Sequence, residues 1–307
     1  MSIKLKQVEG FAAAITSLKM SKRHYNEVNY EKLIDDVHAV TDAHGFFKTE
    51  KEFRSDAETL VGDNESLIQS YMNVNMQIRE KVLNELNKLA KWGAGVGMDA
   101  WIDDGHDTIL RFIDFTFVTE GLHRAGQDDL DAHCVRFNNR IVRESTRLAT
   151  FKKGERSAWY QPRIRSVEDM LETFGKTIPA SYVDSEGVTW VYTNFGYVRE
   201  DLVDDKDANR GNYPESIPSN AIWKINLYDL RHVYKRRNKY THANPELQEF
   251  IEDLADQVEQ VIPCDLGKLV RYDYALIPDE NGNINTDHYE LVHIMNIKKV
   301  YVPRTTE

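Results

Sequence analysis

Along the 307-residue chain the spacing of apolar positions changes several times, and each change predicts an element. Leu67, Ile68, Tyr71, Met72, Val74, Ile78, Val82, Leu83, Leu86 and Leu89 recur at threes and fours. That spacing predicts a long helix over 64–92, with Asn64 or Ser66 to cap it and Gly93 to stop it. A similar period predicts a helix over 28–43. The sharpest helix signal begins at Asn244-Pro245, a capping residue followed by proline at the first position. Leu247, Phe250, Ile251, Leu254, Val258 and Ile262 then form one stripe, which stops at Pro263. Alternation predicts one or two strands over 2–19 and a β-prone run over 108–119, where Phe112, Asp114, Phe115 and Phe117 alternate. It also predicts a hairpin over 180–195 turning at 185–187, and strands over 268–302 with a turn at 281–283. Residues 122–149 read as helical and 166–175 as a short helix capped by Ser166, while 219–239 carry both signals. The class is α+β: helices and strands do not alternate strictly, so no doubly wound parallel sheet is expected.

Composition narrows the class. Charged residues make up 29% of the chain, with 16 Gly and 8 Pro and no internal repeat, which excludes collagen-like and low-complexity chains. Cys134 and Cys264 stand 130 positions apart, neither in a CxxC pair, so neither a disulfide framework nor a cysteine zinc site is predicted. A reducing, cytoplasmic setting follows from that usage. No stretch approaches the roughly 18 to 20 apolar residues of a membrane helix, and the N-terminal apolar run lacks a cleavage site. Asp and Glu outnumber Lys and Arg by 50 to 39, a net charge of −11 that disfavours duplex nucleic acid as a partner. Local clusters of cations can still hold a small anion.

Three clusters bear chemistry. His123, Asp128, Asp129, Asp131, His133 and Glu144 lie close in sequence, but the two histidines are about 80° apart on a helix and no HExxH or ExxH pairing occurs. The segment reads as an acidic solvated face. Arg136, Arg140, Arg143 and Arg147 are spaced four, three and four, which on a helix makes one stripe of like charge. Such a stripe calls for an anionic counterpart, either an acidic neighbour or a phosphate. Between 224 and 242, Arg231, Lys235, Arg236 and Arg237 interleave with Tyr228, His232, Tyr234, Tyr240 and His242, a mixture suited to a planar base and a phosphate, or to an ordinary amphipathic helix. There is no GxSxG, Cys134 falls within an expected helix, and the glycines of Gly93, Gly95 and Gly97 follow a helix rather than a strand, so neither a serine nucleophile nor a dinucleotide loop is predicted.

These pieces resemble the flavin-dependent thymidylate synthases (the ThyX family). The matching residues are Arg210-Gly-Asn-Tyr-Pro214, Ala221-Ile-Trp223, Asn226-Leu-Tyr-Asp-Leu-Arg-His232, Arg237 and His242-Ala-Asn-Pro-Glu246. Upstream, Gly105-His106-Asp-Thr108-Ile-Leu110, Phe115-Thr-Phe117 and Glu120-Gly121 are similar to the family's strand entry and Phe-Thr-Phe strand. The resemblance covers about 105–150 and 205–263. It departs at the family's Arg-His-Arg signature, where Asp131-Ala132-His133 stands in an ungapped register; that register puts Arg143 at the signature's final arginine, and a gapped one puts Ser145-Thr-Arg147 there.

The resemblance implies a single ThyX-like domain over 1–307, a mixed sheet flanked by long helices. Residues 20–100 would be an added helical insertion and 264–307 a strand-rich extension. It implies reductive one-carbon transfer to C5 of dUMP, or a variant such as hydroxymethylation of a pyrimidine nucleotide, or a non-catalytic nucleotide-binding relic. Arg210 would pair with the nucleotide phosphate, with Arg143, Arg147 and Ser145 as further contacts. Arg237 would be the catalytic contact to the uracil edge. His106, Thr108, His133, Asn138, Asn226 and His232 would touch FAD. NADPH and methylenetetrahydrofolate would be co-substrates, and a homotetramer the assembly.

Overall fold

The computed structural model describes residues 2–21, 26, 28–94, 107–133, 140–143, 180–193, 196–202, 218–278 and 280–297. A four-stranded antiparallel sheet organises them, its strands in the order β1 (Ser2–Glu9), β2 (Asp114–His123), β7 (Pro218–Asn226) and β3 (Arg140–Arg143). Strand β1 (Ser2–Glu9) forms one edge. Its alternation buries Ile3 and Leu5, and a bulge between Leu5 and Gln7 then resets the period so that Val8 also faces the core. The open edge of β1 is covered by the Gln257 side chain, which accepts from Leu5 N–H at 2.8 Å and donates to the Ile3 carbonyl at 3.0 Å.

The expected second strand within 2–19 is a helix, α1 (Phe11–Ser21). Phe11, Ala14, Ile15 and Leu18 repeat at helical spacing and are buried, and Gly10 makes the corner with φ 97°. A Cβ at Gly10 would meet the Phe112 carbonyl oxygen at 1.7 Å, so only glycine fits there. Next come α2 (Tyr30–Val40), α3 (Glu50–Val61) and α4 (Glu65–Gly93), with α2 and α3 packed on α4. Asn64 caps α4 by accepting from Leu67 N–H, and Thr49 with Glu52 forms a capping box on α3.

A 3-10 turn (Asp107–Phe112) leads into β2 (Asp114–His123), so the β-prone run begins six residues later than its alternation suggested. Phe115 and Phe117 are buried, and the Phe117 ring stacks on Trp223 at a centroid distance of 6.0 Å. The helix expected over 122–149 is broken up: β2 runs on to His123, α5 covers Arg124–His133, and β3 (Arg140–Arg143) returns to the sheet beside β7. The arginines at 140 and 143 therefore lie on a strand, and the four-three-four spacing does not make a helical stripe. Ile141 and Val142, β-branched and paired with Trp223 and Ile222 of β7, account for the preference.

Strands β4 (Ser181–Val183), β5 (Thr189–Thr193) and β6 (Gly196–Arg199) make a separate antiparallel sheet, with the expected turn between the first two. The two-signal stretch 219–239 resolves into β7 (Pro218–Asn226) and α6 (Leu227–Arg237). Asn226 makes the switch, since its side chain accepts from Asp229 N–H at 2.9 Å. Helix α7 (Pro245–Val261) buries Leu247, Phe250, Ile251, Leu254, Ala255 and Val258, packing against β1 and α6. The short α8 (Asp265–Lys268) then leads to the hairpin β8 (Tyr272–Pro278) and β9 (Ile284–His293). Among the described residues no helix is long and apolar enough to cross a membrane. The short helix expected over 166–175, Cys134, Gly95 and Gly97 lie outside the described residues.

Candidate functional site

The far end of β2 carries the first structural device of the site. Between Thr119 and Leu122 the pairing with β7 shifts, and Gly121 adopts φ 76° with its N–H donated to the Asn220 side chain at 3.0 Å. After this bulge two consecutive side chains, Leu122 and His123, turn inward and are both buried. His123 meets two residues at the start of α7. Its Nδ1 contacts a carboxylate oxygen of Glu246, which is wholly buried, and its Nε2 lies 3.1 Å from the Asn244 amide nitrogen.

The orientation of Asn244 fixes the proton. Its oxygen accepts from Glu246 N–H at 3.0 Å, so its NH2 donates to His123 Nε2. The imidazole is then neutral with its hydrogen on Nδ1, donated to Glu246. A second proton would set two donors face to face, and burial opposes the charge, so the pKa falls to about 4; Asp129 acts weakly in the opposite sense. Glu246 sits in the first turn of α7, where the helix N-terminus stabilises an anion. Gly126 permits the close approach of α5, because a Cβ there would come within 2.6 Å of His123 Cε1. Gln127, fully buried, ties α5 to the sheet through the Leu122 carbonyl at 3.0 Å and the Ser219 carbonyl at 2.9 Å.

Helix α5 then presents three carboxylates to guanidinium groups from two other elements. Arg237, the last residue of α6, donates to Asp129 at 2.7 Å. Arg143, on β3, pairs with Asp128 at 2.7 Å and Asp131 at 3.2 Å. Both arginines are about four-fifths buried as side chains, at 19% exposure, so each is held in a defined direction at the α5 surface. Two cations that the sequence separates by almost a hundred positions thus converge on one helix. Chemically, the arrangement is a pair of forked donors facing acceptors that a phosphate or an imide edge can replace.

The other expected site residues distribute as follows. Thr108 lies on the 3-10 turn, exposed. His232 is half-buried on α6, its pKa lowered by burial and by the Arg236 guanidinium. That turn packs on α6, where Arg111 stands over the Tyr228 ring at 4.4 Å. Asn226 is buried, and both of its amide atoms serve Asp229 at the head of α6, a capping role. His133 is the last residue of α5. Arg210, Arg147, Ser145, His106 and Asn138 lie outside the described residues. Among the positions that the resemblance gives to a flavin, Thr108 and His232 fit a ligand, since neither hydroxyl nor ring has a hydrogen-bond partner among the described residues. Asn226 does not.

Sequence reasoning missed Glu246 and Asn244 as partners of His123. It also placed His123 on a helix, as part of a solvated face. The signal available was the Asn-Pro-Glu start of α7, which sets a cap and an acid two residues apart at one helix end.

A family model described as thymidylate synthase complementing protein matches residues 59–264, about two thirds of the chain. The match runs from the last turn of α3 to the residue before α8. No curated protein matches in sequence. Among solved structures, thymidylate synthase X from Helicobacter pylori with FAD and dUMP is 12% identical, covers 87% of this chain and 100% of its own, and has a TM-score of 0.44. A flavin-dependent thymidylate synthase structure from the same organism, also complexed with FAD and dUMP, gives 13%, 85%, 97% and 0.39. The UMP/dUMP methylase PolB from Streptomyces cacaoi, bound with 5-Br dUMP, gives 11%, 88%, 93% and 0.40.

Proposed function

The chain belongs to the thymidylate synthase complementing protein family, and from that premise we propose that it is an enzyme transferring a one-carbon unit reductively to C5 of dUMP or a closely related pyrimidine nucleotide. The family match across the segment that holds both converging arginines is the observation that carries this reading.

The roles follow from the chemistry of the groups. Attack from C5 draws electron density out of the pyrimidine ring, so C5 becomes more nucleophilic when the ring carries negative charge at its N3 and O2 edge. Arg237, with its side chain largely shielded from water and fixed by Asp129, is suited to hold negative charge at that edge. Arg143 is suited to the phosphate, where a fork meets two oxygens. Entry of the nucleotide exchanges carboxylate for phosphate or imide, and the aspartates on α5 keep both forks aimed in its absence. We assign Arg210, Arg147 and Ser145 as further phosphate contacts. Thr108 and His232 are the described residues suited to FAD, with His106, His133 and Asn138 assigned beside them. When bound, reduced flavin supplies the hydride that completes the reduction of the transferred carbon. Methylenetetrahydrofolate as donor and NADPH as reductant complete the proposal, in a homotetramer. No protein nucleophile is required, consistent with the lack of a serine or cysteine nucleophile motif in the sequence.

The test is release of tritium from dUMP labelled at C5, with FAD, NADPH and methylenetetrahydrofolate supplied, followed by the mass of the product nucleotide. Release that disappears in Arg237→Ala, with the thermal unfolding midpoint preserved, supports the reading; its persistence in Arg237→Ala contradicts it. A product mass one oxygen higher than that of the methylated nucleotide would assign hydroxymethylation.

A further inference from the structure

Residues 265–293 lie beyond the family match, yet they touch the helix that ends in Arg237 at several points. Arg231 of α6 donates to Asp273 of β8 at 2.6 Å. On β9, His293 lies among three tyrosine rings, all near edge-on: Tyr234 at 5.9 Å, Tyr240 at 5.4 Å and Tyr272 at 5.6 Å between centroids.

The polar partners of His293 give the contact a direction. Met295 N–H donates to Nδ1 at 3.3 Å, which leaves the hydrogen on Nε2, 3.1 Å from the Tyr234 hydroxyl. Tyr234 then directs its one proton to Glu252 on α7, at 3.1 and 3.2 Å from the two carboxylate oxygens. Glu252 also accepts Lys239 N–H at 3.3 Å and the Arg271 guanidinium at 3.3 Å. A continuous chain therefore runs from His293 through Tyr234 and Glu252 to the backbone just past Arg237. Asn238 N–H and side-chain NH2 both return to the Tyr234 carbonyl, at 3.0 and 2.9 Å, so the residue that receives His293 also holds the end of α6. Polar chains of this kind, partly removed from water, are cooperative and fix a single geometry.

We propose that the C-terminal hairpin is a clamp on the α6–α7 corner and that His293 is a positioning residue for Arg237. A few residues further along the same strands the hairpin has two more anchors, where Tyr274 donates to Asp265 at 2.6 Å and Lys91 of α4 stands over Tyr289 at 5.3 Å. It thereby ties the corner to the helical layer. The inference rests on the reading of Arg237 as a nucleotide contact.

Two measurements on the full chain test it, each with His293→Ala and with the near-isosteric Tyr234→Phe, which keeps the packing and removes the hydroxyl. In native-state hydrogen exchange, the amides of Lys239 and Thr241 should lose protection by about tenfold in both variants, while those of β1 and β2 keep theirs. In titrations with dUMP, both variants should bind about tenfold more weakly, the effect of misdirecting one charged hydrogen bond. His293→Gln, which retains a donor near Nε2, should restore most of the affinity. In an Arg237→Ala background, His293→Ala should change the dissociation constant by less than about twofold, because the clamp acts through Arg237. Unchanged exchange at the corner overturns the proposal. So does faster exchange with unaltered dUMP affinity, or an equal loss of affinity in the Arg237→Ala background. If the unaltered chain binds no dUMP, the nucleotide reading fails, and exchange at the corner alone decides whether the clamp exists.

Discussion

Acid should weaken this fold through His123 in a way that one substitution can isolate. The imidazole is held neutral by burial and by the Asn244 amide donated to its Nε2, with a pKa lowered from 6.5 to about 4. In the unfolded chain the same group takes a proton below about pH 6.5. A lowered folded-state pKa means that the stability it contributes is present above the unfolded value. That stability is lost as pH falls through the window from about 6.5 to 4. Each pH unit inside the window costs about 1.4 kcal/mol, so the whole shift is worth about 3 kcal/mol. His232 and His293, whose pKa values are also lowered, act with the same sign, so the total slope alone does not identify His123. His123→Gln removes one titration and leaves the others. Urea unfolding followed by far-ultraviolet circular dichroism at pH 7, 6, 5 and 4 gives stability for both proteins. The unaltered chain should lose about 3 kcal/mol more than His123→Gln between pH 7 and pH 4. Parallel profiles would refute the assignment of a neutral imidazole between Asn244 and Glu246.

Other expectations follow from the same geometry. Arg237→Ala should weaken dUMP binding by about 30-fold or more, about 2 kcal/mol in a titration, since a partly desolvated charge loses its partner. Asn226→Ala should cost about 1 kcal/mol in urea unfolding through loss of the α6 cap, yet leave FAD affinity unchanged; a matching loss of FAD affinity would reinstate Asn226 as a flavin contact. Gly10→Ala forces a Cβ onto the Phe112 carbonyl and should lower the thermal midpoint sharply, whereas Gly187→Ala, with open space around it, should cost only about 1 kcal/mol for its positive φ.

How much of this was legible in the sequence depends on how local each signal is. Helices α4 and α7 announce themselves through caps and stripes written within the segment, Asn64 and Asn244 above all. The 180–195 and 268–302 hairpins carry their turn residues in place. The stretch 122–149 misled because its fate depends on distant partners. The bulge at Gly121 carries β2 on to His123, and β3 is selected by β7, some eighty residues later. Helix α1 was hidden in an alternating start because its corner is set by contact between Gly10 and Phe112. In the site, Arg143 and Arg237 were visible as basic positions and through the family pattern, but their carboxylate partners were not. Asp129 reaches Arg237 across 108 positions and Asn244 reaches His123 across 121, and such pairings leave no periodic trace. The acidic run on α5, read as a solvated face, is exposed at Asp128 and Asp131 and at the same time holds the arginines in place.

The central claim is a shared flavin and pyrimidine site. Its most direct test is an absorbance titration of the purified chain with FAD and then dUMP. The account predicts the visible flavin bands on the protein and a spectral shift on adding dUMP that Arg237→Ala abolishes. A chain that binds dUMP but stays colourless after FAD, or holds FAD with a spectrum indifferent to dUMP, would contradict it.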